Sequence, residues 1–212
     1  MSVLGSDSSG ALGDGSGRPI AGASLFLAGA VAFMGIITAE VLYPGYSTRQ
    51  DISDLGSTIP PNPVVHEPSS TLFNTTMMVT GLLLLVGVYF LHRAWQRRDL
   101  TIPFALFGLA VFFVGLFPGY RMPWHGLAAM VAFISGGLTL VLAARVVTRP
   151  FAYLSAALGV LSLLVLASAI FLDTASPLLV MGRGGVERWV VYPILLWILA
   201  FGGYLLGDGE PA

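Results

Sequence analysis

The sequence predicts an all-α fold: a polytopic transmembrane bundle of six helices, paired as three helical hairpins. Composition is the first observation behind it. Of 212 residues, 56% are hydrophobic and only 10% charged, against roughly a quarter charged in an ordinary soluble domain. So few charges could not coat a soluble protein of this size, but they suffice where lipid covers most of the surface. Six apolar runs are the second observation, at 20–41, 71–91, 102–117, 124–144, 151–172 and 189–206. Each is close to the length that crosses about 30 Å of hydrocarbon at about 1.5 Å per residue. Third, no run carries a charge near its middle, where Arg or Asp would cost at least about 2.5 kcal/mol. The runs also lack the alternation of a β-barrel strand.

Composition excludes several functions. A formal net charge of −1 leaves nothing to neutralise a run of phosphates, so no nucleic-acid partner is expected. All ten basic residues are arginines, and there is no cysteine. Disulfides, thiol catalysis and cysteine-based metal sites are therefore out.

In chain order, residues 1–18 are Gly/Ser-rich with scattered Asp7 and Asp14 and read as a disordered tail. The transmembrane domain follows at 19–206, and 207–212 form a C-terminal tail. The first run is too long for a signal-peptide core and follows a single Arg18, so it reads as a retained helix. Orientation follows the arginines. With the N-terminus cytoplasmic, Arg18, Arg93, Arg97, Arg98, Arg145 and Arg149 lie inside, and Arg49, Arg121, Arg183 and Arg188 outside. The short basic loops then face inward, which predicts N-in and C-in.

The first outer loop, 42–70, is long. Ser47 and Gln50 fit a capping box, Ile52 and Leu55 give an apolar edge, and Gly56 stands where a helix would stop. A short interfacial helix is expected there, with Pro60, Pro61, Pro63 and Pro68 holding the return extended. Leu42-Tyr43-Pro44-Gly45-Tyr46 is echoed by Leu116-Phe117-Pro118-Gly119-Tyr120. The first and third helices thus leave the membrane through one kind of turn, as repeated hairpins would. The third hairpin has Leu172-Asp173-Thr174 instead.

The outer ends hold most of the groups able to do chemistry, and ionisable groups at a membrane boundary are usually paired or used. Glu40 lies one turn before Pro44, free to snorkel to water, to carry a proton, or to meet Arg121 or Arg188. Asp51 and Asp54 share a face of the expected short helix; paired carboxylates can hold a cation, serve as acid and base, or simply be solvated. Asn74 and Thr80 add polar lining to the outer half of the second helix. His66, His125 and Glu67 lack the close spacing of a zinc motif, so no metal site is expected. His125 is better placed to hydrogen-bond a neighbouring loop, and His92 to contact lipid headgroups on the inner side. No phosphate loop, dinucleotide fingerprint or nucleophile turn occurs, and no cofactor is expected. The candidate ligand-binding set is Glu40, Asp51, Asp54, Asn74, Arg121 and His125, and no catalytic residue is assigned.

Tyr43-Pro44-Gly45-Tyr46, Asp51-Ile52-Ser53-Asp54-Leu55-Gly56 and Leu72-Phe73-Asn74, then Gly115-Leu116-Phe117-Pro118 and His125-Gly126, resemble the DUF998 family of prokaryotic six-helix membrane proteins. The resemblance runs from the first helix to the sixth and implies a multi-pass protein of a prokaryotic plasma membrane, with no biochemical activity attached. Ile52-Ser53-Asp54-Leu55-Gly56, the following prolines and Phe73 are similar to the Frag/DRAM/Sfk membrane proteins, which implies an association with lipid organisation. The expected function is lipid-associated: an extracytoplasmic polar site that binds or organises a lipid headgroup or lipid-linked substrate, with binding favoured over catalysis. A small transporter or channel is the first alternative. A non-catalytic assembly partner for other membrane proteins is the second.

Overall fold

In the computed structural model, which describes residues 17–207 apart from the side chain of Asp173, all six apolar runs are α-helices. They are α1 Gly17–Leu42, α2 Ser69–Trp95, α3 Arg98–Leu116, α4 Trp124–Ala143, α5 Phe151–Phe171 and α6 Gly182–Leu206. Each lies in a stretch long and apolar enough to cross a membrane, and no strand occurs among the described residues. The chain is a multi-pass membrane protein, with bilayer lipid as its surroundings. Residues 1–16 and 208–212 of the expected tails, Asp7 and Asp14 included, lie outside the described residues. Gly17 and Arg18 form the first turn of α1.

Each helix packs on its chain neighbours, and α6 returns to pack on α1, so the bundle closes into a ring. The end of the ring that carries the termini is filled. Trp197, Phe104 and Phe201 are among the largest fully buried side chains. Trp197 and Phe201 stack with centroids 4.5 Å apart, and Phe151 lies parallel to both. The indole Nε1 of Trp197 donates to Ser155 Oγ at 2.8 Å, which answers the one polar atom such a plug would otherwise strand. His92 also belongs to this end. Its Nδ1 lies 3.0 Å from Thr101 Oγ1, so the ring joins α2 to α3 where a headgroup contact was expected.

The opposite end holds the long loop. The capping-box residues do meet there: Ser47 N–H donates to Gln50 Oε1 at 2.9 Å. They close a turn, with Gln50 N–H donating to Ser47 O at 2.8 Å. The helical element that follows is a single 3-10 turn, Ile52–Leu55. Its two apolar residues, Ile52 and Leu55, are buried among the helices. Residues 47–57 therefore form a strap across the mouth of the ring. The two Pro-Gly turns differ in use. Gly45 adopts φ +74° in open space, a left-handed conformation that glycine accepts without penalty, whereas a side chain on Gly119 would run into the carbonyl of Ser57.

Helix α6 starts seven residues ahead of the apolar run that announced it, so Arg183, Glu187 and Arg188 are helical. The extension is held by the strap, since Gly184 N–H donates to Arg49 O at 2.9 Å.

Candidate functional site: a carboxyl-rich mouth over an apolar chamber

Arg188 is the centre of the mouth. Its place in the second turn of α6 drives the guanidinium between α1 and the strap, where the side chain is only 11% exposed. Nη2 donates to Glu40 Oε1 and, at 2.8 Å, to the Tyr46 hydroxyl. Nη1 donates to the carbonyls of Thr48, Gln50 and Gly184 at 3.0, 3.1 and 3.0 Å. A planar fork with a fixed charge suits this many acceptors in a way lysine does not. The Tyr46 hydroxyl in turn donates a hydrogen bond to Asp51 O at 3.0 Å. Burial holds the Tyr46 phenol far above its usual range, although Arg188 pulls the other way. Of the two arginines open to Glu40 on the sequence, it takes Arg188.

The remaining acids surround this clamp. Glu187 Oε2 accepts the backbone N–H of Ile52, the first residue of the 3-10 turn. Asp51 lies 3.5 Å from Arg183, whose side chain is 73% exposed, and so exposed a pair is weak. Burial, then the charge of Asp51, raise the Asp54 carboxyl from 3.8 to about 6, with Arg183 opposing. Burial and the charge of Asp54 likewise raise the Tyr43 phenol.

The start of α2 latches the strap from the other side. Ser69 Oγ donates to Ala39 O at 2.9 Å and lies 3.3 Å from Leu55 O, while Ser70 Oγ donates to Gly56 O. Asn74 Nδ2 reaches Gly56 O at 3.5 Å and Ser70 Oγ at 3.3 Å, leaving its Oδ1 buried without a partner. His125 is buried, and its Nδ1 donates to Phe117 O at 2.7 Å, tying α4 to the end of α3. Arg121 is exposed, its guanidinium 5.3 Å from the Tyr120 ring centroid. Glu40, Asp51 and Asp54 thus stand at the mouth, Asn74 on the latch, and His125 and Arg121 on the α3–α4 connection.

Beneath the strap the ring encloses a chamber of about 70 Å³, room for several waters or a short alkyl segment. Its wall combines Ile36 of α1, Phe73 and Met77 of α2, Phe107 and Val111 of α3, Phe133 of α4 and Val191 of α6, and Ile52 closes the top. Ser53, Thr80 and Glu187 are the polar residues in its lining, and the surface they and the others present to it is almost wholly apolar. Thr80 is 1% exposed, and its hydroxyl has no hydrogen-bond partner among the described residues. A buried hydroxyl left so costs about 1–3 kcal/mol and needs an explanation. Glu187, one of the ionisable groups gathered at the outer ends, lies outside the candidate set, and Ser53, Tyr46 and the full role of Arg188 were not drawn from the sequence. The usable signal was the spacing of Arg183 and Glu187 four apart, which places both on one helical face ahead of the apolar run.

No curated protein and no solved structure matches the chain. The family model described as "Protein of unknown function (DUF998)" matches residues 26–204. That match runs from α1 to α6 and covers most of the sequence, and the chain belongs to the DUF998 family.

Proposed function

We propose that this is a non-catalytic binding protein of a prokaryotic plasma membrane, holding the end of a lipid-like molecule in the chamber on its extracytoplasmic side. The observation that carries the reading is an apolar chamber under the strap bearing an orphaned hydroxyl, Thr80. Small-ligand sites pair an apolar wall with a few placed polar groups, and Thr80, Ser53 and Glu187 are such groups. Binding is favoured over chemistry because Glu40, Asp51 and Glu187 are held by structural partners and no nucleophile–base pair stands among the chamber residues. Binding is favoured over conduction because Trp197, Phe104 and Phe201 fill the ring at the terminal end, and a substrate path needs polar lining there. A ligand larger than the chamber requires the strap to shift, together with its buried Ile52 and Leu55.

Purification with native lipids followed by mass spectrometry tests this. Wild-type protein is expected to retain a species that Thr80→Val and Asp54→Ala variants lose. Identical lipid profiles in all three would sink the reading. The assembly-partner alternative has one observation of its own. A groove of about 430 Å³ between α3 and α4, lined by Leu106, Phe113, Phe117, Trp124 and Leu127, faces outward. Cross-linking from that groove to another membrane protein would favour it.

A further inference from the structure

The groove between α3 and α4 lies apart from the chamber and opens to the side of the bundle. Ala110 and Ala128 are buried at its floor, while Leu106, Leu109, Trp124 and Leu127 stand exposed along its rims. Leu106 lies midway along α3 and Phe117 at its end. They are about 16 Å apart at the helical rise, which is the hydrocarbon depth of one leaflet. The groove's volume, about 430 Å³, falls in the range of small-ligand sites.

Transmembrane helices meet where small side chains let backbones approach closely. Here the small residues are recessed below large ones, so a second helix is held off the floor while a single acyl chain can reach it. The end of the groove supplies the headgroup. The connection 117–124 closes it, with Gly119 pressed against the carbonyl of Ser57 and Tyr120 and Arg121 exposed beyond. Arg121 is the one Arg, Lys, Asp or Glu between Asp99 and Arg145. Its guanidinium lies 5.3 Å from the Tyr120 ring centroid, and no carboxylate is within ion-pair distance of it among the described residues. A fixed cation at headgroup depth, at the end of an apolar trough, favours a lipid with a net negative phosphate.

We propose that this groove seats an acyl chain of an anionic phospholipid from the leaflet on the strap side, with its phosphate on Arg121. The seat needs neither Thr80 nor any movement of the strap, and so stands apart from the chamber.

The test uses the full chain in vesicles of phosphatidylcholine and phosphatidylglycerol, one or the other brominated on its acyl chains. Bromine quenches tryptophan on contact, and the part of the quenching lost in Trp124→Phe belongs to the groove. At equal lipid fractions, phosphatidylglycerol is expected to compete for Trp124 about fivefold better than phosphatidylcholine, the scale of one arginine at an anionic lipid surface. Arg121→Gln should abolish that preference, whereas Arg49→Gln, which removes an exposed arginine of the strap, should leave it. Equal quenching of the wild type by both lipids overturns the anionic headgroup. A preference lost equally in Arg49→Gln overturns the seat at Arg121, because the charge of the whole surface is then the cause. A Trp124 that neither lipid quenches overturns the proposal and gives the groove to another protein or a second copy of this chain.

Discussion

Arg188 shows how a single side chain can organise a membrane protein's mouth. It is mostly buried, with Glu40 also largely covered, and removing one member of such a pair leaves the other charged and unmatched. Arg188→Gln is expected to cost about 3 kcal/mol, read as a lowered midpoint in denaturant titration of the detergent-solubilised protein. Glu40→Gln combined with it should cost less than the two single losses added together, because the partners are coupled. Arg188→Lys keeps the charge but not the fork to Thr48, Gln50 and Tyr46, and should fall between wild type and Arg188→Gln. Asp54 makes a different prediction, because burial and then the charge of Asp51 outweigh Arg183 around it. Its carboxyl is raised in the folded protein from 3.8 to about 6, so between those values the folded state binds the extra proton. Stability then falls as pH rises from about 4 to about 6 and is level above, a loss of about 1–2 kcal/mol after allowing for partial exposure. Asp54→Asn should remove the slope and be the more stable protein at pH 7, as measured by thermal unfolding across that range.

The strap and the start of α6 form one unit at the scale of elements. Gly184 touches the strap so closely that a Cβ there would overlap the carbonyl of Gln50. Gly184→Ala should therefore lift residues 47–57 off the mouth and break the bond from Gly184 N–H to Arg49 O. Faster hydrogen exchange in that segment, with α2 to α5 unchanged, is the expected outcome; unaltered exchange would mean the strap can yield without detaching. Two signals in this region were legible in the sequence: the Ser47–Gln50 pairing and the apolar character of Ile52 and Leu55. The length of the helical element was not, because two buried apolar residues three apart anchor only one turn. The start of α6 was hidden for a related reason. Arg183, Glu187 and Arg188 weigh against a membrane span when hydropathy is averaged locally, yet partners on α1 and the strap meet two of them inside the bundle.

At the scale of the whole molecule, the ring has a filled end and a chambered end, and the proposal depends on which faces out. The arginine bias predicts the strap on the extracytoplasmic side. Lacking cysteine, the protein suits labelling by single substitutions. Thr48→Cys on the strap is expected to react with a membrane-impermeant maleimide on intact cells, and Asp99→Cys in the first turn of α3 only after permeabilisation. The reverse pattern would place the chamber toward the cytoplasm. The existence of six spans and their order were determined by the sequence alone. Crossing a bilayer depends on the summed apolarity of about twenty consecutive residues, a local quantity. Which polar groups meet was decided only by tertiary structure. Glu40 and Arg188 stand 148 residues apart and come together because α6 closes the ring against α1, with each helix turned to one face. Thr80 is stranded over a void for the same reason. Rotation and closure are set by packing among all the helices at once, and no short stretch of chain encodes them.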